Sequence, residues 1–228
     1  MGNIDDVLKL KRLGTVPVPF GVLRELYRDF ASPAKKIAEL CSQGLLVRVK
    51  RGLYTVSDKI VGERAAGELI ANHLYGPSYV SMETALQHYG MIPEGVYSFE
   101  SATTGQQKLY DTPYGVFRYH HFEADYYRIG IRMERTKNGA AYLIASPEKS
   151  LCDLLIKTKG LQIRSRISMI SYLTEFLRID EESFVALDPN LIHECAMVGQ
   201  KRETLHYLEE TIKGKRKKRN RHLSSLRF

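Results

Sequence analysis

At 228 residues, 43% hydrophobic and 26% charged, the chain is long enough for one or two domains with real cores. It contains no run of about 18 apolar residues, which excludes a membrane-spanning helix. The net charge of +8 is unevenly placed: residues 1–60 carry +5, residues 61–199 carry −4 and residues 200–228 carry +7. Two basic ends around an acidic middle point to a polyanionic partner, nucleic acid first. Neither end joins its charge to a large apolar face, which argues against a lipid surface. The first residues, MGNIDDVLKLKRLG, lack the apolar core of a signal peptide. Cys41, Cys152 and Cys195 are odd in number and far apart, as expected of reduced thiols in a cytoplasmic protein.

The first predicted helix covers residues 3–13, with Ile4, Val7, Leu8 and Leu10 at helical spacing and Gly14 as its stop. Pro17 and Pro19 mark an extended connection. A second helix presents Leu23, Leu26, Tyr27 and Phe30 on one face. The third is the best signalled, because Ser32 is a favoured N-cap and Pro33 a favoured first helical residue. Ile37, Leu40 and Cys41 form its apolar face, and Gly44 stands where a left-handed cap is expected. Its opposite face carries Ser32, Lys35, Glu39, Ser42 and Gln43, with Lys36 on the flank. The period then changes to two: residues 45–50 (LLVRVK) and 53–56 (LYTV) alternate like strands around an Arg51-Gly52 turn.

Three helices followed by a basic hairpin predict a winged helix-turn-helix that binds double-stranded DNA. Ser32, Lys35, Lys36, Ser42 and Gln43 are then candidates for the major groove, and Lys50 and Arg51, assisted by Arg48, for the backbone.

Residues 59–63 read as a short junction, and residues 64–74 as a helix with Ala65, Leu69, Ile70 and His73/Leu74 inward. Ser81 is expected to cap a helix reaching Tyr89, ended by Gly90. From residue 96 to 144, segments rich in Tyr, Phe, Val, Ile and Thr predict an antiparallel sheet of about four strands. Helices return after the Ser146-Pro147 cap, over residues 164–177, 189–198 and 202–212. Strands followed by helices give the fold class α+β, without parallel βαβ alternation. The expected domains are a winged helix at 1–60, an α+β domain at 61–212 and a basic tail at 213–228.

Catalytic and metal constellations are not found. His120 and His121 are adjacent in a strand and point to opposite faces, so they cannot chelate one metal. His193-Glu194 has no second histidine four residues after the first. Glu134 and Lys137 lack an acidic companion at nuclease spacing. The tyrosines between 119 and 127 read as core and sheet aromatics. No cofactor, metal or enzymatic activity is expected. The tail is the other notable feature: KGKRKKRNR holds Lys213, Lys215, Arg216, Lys217, Lys218, Arg219 and Arg221, a solvated helix end or a phosphate-binding arm. Leu223, Leu226 and Phe228 are candidates to dock the extreme end.

Four segments together resemble the AbiEi-type antitoxins of type IV toxin–antitoxin, or abortive-infection, systems. They are residues 44–56 (GLLVRVKRGLYTV), 76–96 (GPSYVSMETALQHYGMIPEGV), 115–122 (GVFRYHHF) and 145–155 (ASPEKSLCDLL). The resemblance implies a winged helix that represses its own operon, and a C-terminal domain that neutralises a nucleotidyltransferase-type toxin. The basic tail is denser than that pattern needs. Solitary regulators also occur among such proteins, and a stand-alone winged-helix regulator with a sensing C-terminal domain is the alternative. An enzyme that uses the winged helix for targeting is disfavoured by the lack of an acidic or His/Cys cluster.

Overall fold

The computed structural model describes residues 4–93, 95 and 98–225, with side chains described as far as residue 219. The chain begins with α1 (Ile4–Lys11), β1 (Val18–Pro19), α2 (Phe20–Leu26), α3 (Pro33–Ser42), β2 (Leu46–Lys50) and β3 (Leu53–Val56). The Ser32 hydroxyl accepts from the Lys35 amide at 3.4 Å and so caps α3. At the other end Gly44 takes φ +69°, Gly44 N–H donates to Cys41 O at 3.0 Å, and Leu45 N–H donates to Leu40 O at 3.0 Å. This paired closure needs the left-handed conformation that glycine adopts freely, and it turns the chain from α3 straight into β2. The three strands pair antiparallel in the order β1-β3-β2. Leu10, Leu23, Tyr27, Ile37, Leu40, Leu46, Tyr54 and Val56 form one core beneath the helices. Ile4 and Leu8, expected on the apolar face of α1, are exposed, because Asp6 takes the inward position beside Leu10.

A capped turn, α4 (Asp58–Val61), occupies the expected junction. Beyond it come α5 (Gly67–Leu74), β4 (Ser78–Val80), α6 (Met82–His88), β5 (Ser98–Thr103), β6 (Lys108–Thr112), β7 (Gly115–His121), α7 (Ala124–Tyr127), β8 (Ile131–Arg135) and β9 (Ala141–Ala145). The expected antiparallel sheet is in fact six-stranded and mixed, in the order β6-β7-β5-β4-β9-β8. β5 runs parallel to β7, and β4 parallel to β9. The remainder is helical: α8 (Pro147–Lys157), α9 (Arg166–Ser171) with a π-helical turn at Tyr172–Phe176, α10 (Glu181–Ala186), α11 (Pro189–Val198) and α12 (Arg202–Ser225). The fold class is mixed α+β. Among the described residues no helix is long and apolar enough to cross a membrane.

The large sheet is covered on both faces. Tyr79 of β4 enters a core with α6, α8 and the later helices, while its neighbour Val80 enters a second core with α5, Phe117, Tyr119 and Ile144. Val49 and Leu53 of the N-terminal hairpin belong to this second core. All four residues of β3 are buried, Tyr54 and Val56 beneath the helices and Leu53 against the large sheet. The Thr55 and Tyr114 hydroxyls share a hydrogen bond of 2.7 Å across the same boundary. A division at residue 60 therefore cuts across a shared apolar core.

In α8, Lys149 of the first turn and Asp153 one turn later are fully buried and paired at 3.0 Å. Asp153 accepts from Tyr126 OH at 2.8 Å, Tyr79 OH at 3.0 Å and Ser81 Oγ at 2.6 Å. Lys149 Nζ donates to Tyr126 O at 3.0 Å. Burial first, and the Asp153 charge second, push both tyrosine hydroxyls well above their ordinary pKa, so they remain neutral donors. Ser81 occupies the N-cap position of α6 without capping it, because its hydroxyl is committed to Asp153. The aromatic run reads as expected, with Tyr119 and Tyr126 buried. His73, expected to face inward, is exposed, and its ring bonds to Leu69 O at 2.8 Å.

Candidate nucleic-acid interface

The apolar residues of α3, Ile37 and Leu40, are fixed in the core, so helical periodicity turns its polar positions outward. Lys35, Ser42 and Gln43 are exposed, and Ser32 is half-buried by its capping role. Two of these side chains are held locally. Ser42 Oγ donates to Glu39 O at 2.7 Å, and Gln43 Nε2 donates to Glu39 Oε1 at 2.7 Å. Gln43 thus presents its amide oxygen, and Glu39 places a carboxylate in the middle of the exposed face.

The lysines divide. Lys35 is exposed in the first turn of α3 and makes no ion pair with a described side chain. Lys36 turns inward: its ammonium pairs with buried Asp6 at 2.8 Å and lies 5.3 Å from the Phe30 ring centre. Its pKa rises through the hydrogen bond to Asp6. Lys36 therefore ties α3 to α1, and its charge is compensated within the unit.

Lys50 behaves likewise at the hairpin. The pairing register of β2 with β3 shifts between Arg48 and Lys50. The Lys50 ammonium then donates to Leu74 O at the end of α5 and lies 5.4 Å from the Tyr110 ring centre. Burial lowers its pKa. Expected at the hairpin tip, its charged group instead sits at the boundary with the large sheet. Arg48 and Arg51 remain exposed. Burial raises the Cys41 thiol pKa, and the Arg48 charge opposes that rise. Arg51 and Gly52 form the tip, with Gly52 at φ +83°.

The basic C-terminal segment is a continuation of α12 and begins inside that helix. Its first cations are tied down. Lys213 pairs with Glu209 at 2.5 Å, and Lys215 with Glu181 at 2.5 Å. Arg216 donates to the carbonyls of Val185, Ala186 and Leu187 at 2.8–3.0 Å, closing the C-terminal end of α10. Lys217, Lys218 and Arg219 are exposed. The side chains of Arg221 and Leu223, and all of Leu226 and Phe228, lie outside the described residues.

His120 and His121 bond on opposite sides of β7, the first to Glu100 at 2.6 Å and the second to Gly105 O at 2.9 Å. Among the described residues no group of three His, Cys, Asp or Glu side chains could hold a metal ion. The Lys149–Asp153 network escaped sequence reasoning, although it lies in the segment 145–155. The signal was present: a Lys and an Asp four apart in a helix that also carries Leu151, Cys152, Leu154, Leu155 and Ile156.

Compared with models of known protein families the chain matches none, and no curated protein matches it.

Proposed function

We propose that residues 1–60 act as a winged helix-turn-helix and that the chain is a DNA-binding autorepressor and antitoxin of AbiEi type. One observation carries the DNA-binding part: the order α1-β1-α2-α3-β2-β3 closes on its own core, with Lys35, Arg48 and Arg51 left exposed around α3. Cations whose charge is not compensated inside the protein are the ones that release counterions on meeting phosphate. In this reading α3 enters the major groove, with Ser32, Ser42 and the Gln43 amide oxygen facing base edges or phosphate. Arg51 follows the backbone at the hairpin tip.

The antitoxin part rests on the four segments that resemble that family. Two of them have structural roles: residues 44–56 form the hairpin shared between two cores, and residues 145–155 carry the buried Lys149–Asp153 pair. The toxin, and not this chain, would supply the chemistry. The α+β part would present the neutralising surface.

The test has two arms. The purified chain is titrated with a duplex from its own promoter region and with a random duplex of the same length. Tighter binding to the promoter duplex is expected; equal binding removes the repressor reading. Co-expression with a neighbouring nucleotidyltransferase reading frame is expected to restore growth, and failure to do so removes the antitoxin reading while leaving DNA binding standing.

A further inference from the structure

The six-stranded sheet ends on β6 and β8, each with a neighbouring strand on one side only. β8 pairs with β9 without interruption, from Ile131 opposite Ala145 to Arg135 opposite Ala141. The bonds at its two ends fix the direction of its backbone groups. Ser146 N–H donates to Gly130 O at 2.8 Å, and Thr136 N–H donates to Ala140 O at 2.8 Å. Bonding in an antiparallel pair alternates, so Arg132 and Glu134 also turn their N–H and C=O toward β9. Those of Ile131, Met133 and Arg135 point outward, where no described residue bonds them. Asn72 marks the same alternation on β9: its side chain serves both the N–H and the C=O of Leu143, the residue opposite Met133.

A row of outward N–H and C=O groups is a template for another strand, and the side chains of β8 indicate which strand fits. Arg132 and Glu134 are two apart and share one face. Arg132 is half-exposed and pairs loosely with Glu148 at 3.9 Å, while Glu134 makes no ion pair with a described side chain. On the other face Met133, 61% exposed, lies opposite Leu143, 40% exposed. An apolar cross-strand pair is thus left open to water directly beside the free edge.

We propose that β8 is a self-pairing edge: two copies of the chain join their β8 strands antiparallel about a two-fold axis at Met133. In that register Met133 faces Met133 of the second copy, and Ile131 faces Arg135. These are the residues whose backbone groups point outward, and each facing pair exchanges two hydrogen bonds. Arg132 of each copy then faces Glu134 of the other, at the non-hydrogen-bonded positions where side chains approach most closely. The neighbouring registers fail on charge. Moving the axis to Arg132 sets two arginines against each other, and moving it to Glu134 sets two glutamates against each other. On the opposite face the two Met133 side chains meet between the two Leu143 side chains, which covers the open apolar pair. The other edge offers no such match, because Lys108 and Asp111 of β6 are three apart and lie on opposite faces.

A strand pair of this length is at the small end of protein interfaces, which gives a weak, concentration-dependent dimer. The dimer is independent of whether residues 1–60 bind DNA. Where they do, it supplies two copies of that unit, as a two-fold symmetric operator requires.

The experiment uses the full chain. Sedimentation equilibrium is followed from about 1 µM to about 500 µM, the range of a weak interface, and a monomer–dimer equilibrium is expected. Hydrogen exchange at the amides of Ile131, Met133 and Arg135 is expected to slow at the high end of that range. Arg132→Glu and Glu134→Arg, checked for folding by circular dichroism, each set like charges at both facing positions and are expected to weaken self-association at least tenfold. An equimolar mixture of the two variants restores opposite charges at both positions and is expected to dimerise as the wild type does. Met133→Pro removes an outward N–H that β9 does not use, and is expected to abolish the dimer. A wild-type chain that stays monomeric throughout, a dimer whose exchange protection spares β8, or a mixture of folded variants that associates no better than either alone would overturn the proposal. The wild-type measurements decide even where a variant does not fold.

Discussion

The exposed face of α3 and the interior around α8 contain the same kinds of charged residue in opposite states. Around α3 and its hairpin, Lys35, Arg48 and Arg51 stand in water, where each contributes little to stability. In α8, Lys149 and Asp153 have no exposure at all, and their charges are compensated by each other, two tyrosines and a serine. Net charge by segment is blind to this contrast. The acidic middle looks featureless by that measure, yet it holds an ion pair whose two side chains are both fully buried. The basic ends look uniform, yet Lys36, Lys50, Lys213, Lys215 and Arg216 all have partners within the chain.

The contrast can be broken most forcefully at Asp153. Asp153→Ala strands a buried ammonium and three hydroxyl donors, and is expected to cost about 3–5 kcal/mol, read as a lower urea midpoint. A loss below about 1 kcal/mol, the range of surface pairs, would show that water reaches the pair. Next is the boundary between the two parts. Leu53→Ala removes apolar volume from the core beneath the large sheet and is expected to cost about 2–5 kcal/mol. A single cooperative transition should persist; two separated transitions would mean that the N-terminal part folds independently of the sheet.

A smaller effect is expected at Lys50. Lys50→Ala loses its hydrogen bond to Leu74 O and its contact with Tyr110, about 1 kcal/mol. The salt dependence of DNA binding should stay unchanged. If the slope falls by about 0.9, the value for one phosphate contact, Lys50 turns outward on the DNA. Smallest is the change at the other end: Lys217→Ala with Lys218→Ala should leave the melting temperature within about 1 °C, because exposed charges are worth a few tenths of a kcal/mol. A larger drop would reveal partners for these cations.

What could be read in the sequence was local. Ser32-Pro33 and Ser146-Pro147 announce their helices because a cap and a fixed proline φ act within one turn. Gly44 ends α3 for a similar reason. What could not be read was decided at a distance. The parallel pairing of β5 with β7 depends on β6 lying outside both, which no alternation pattern encodes. α10 is a six-residue helix, too short to show a period. α12 runs on through the basic segment, beyond the expected end at residue 212. Arg216 docks that stretch on the carbonyls at the end of α10, and its apolar stripe has by then ended. At the candidate interface, α3 and the hairpin were legible, and the exposed set Lys35, Arg48 and Arg51 was among the residues expected there. The inward turns of Lys36 and Lys50 were not, since each depends on a partner far away in sequence: Asp6 in one case, Leu74 in the other.

The most direct test of the central claim is the salt dependence of DNA binding by the intact chain. Fluorescence anisotropy with a promoter duplex is measured at several salt concentrations, for the wild type and for the combined variant Lys35→Ala, Arg48→Ala, Arg51→Ala. Three lost phosphate contacts at about 0.9 each should flatten the slope of log K against log salt by about 2 to 3, with the fold intact by circular dichroism. An unchanged slope and affinity in the folded variant would contradict the account and take the DNA interface away from α3 and its hairpin.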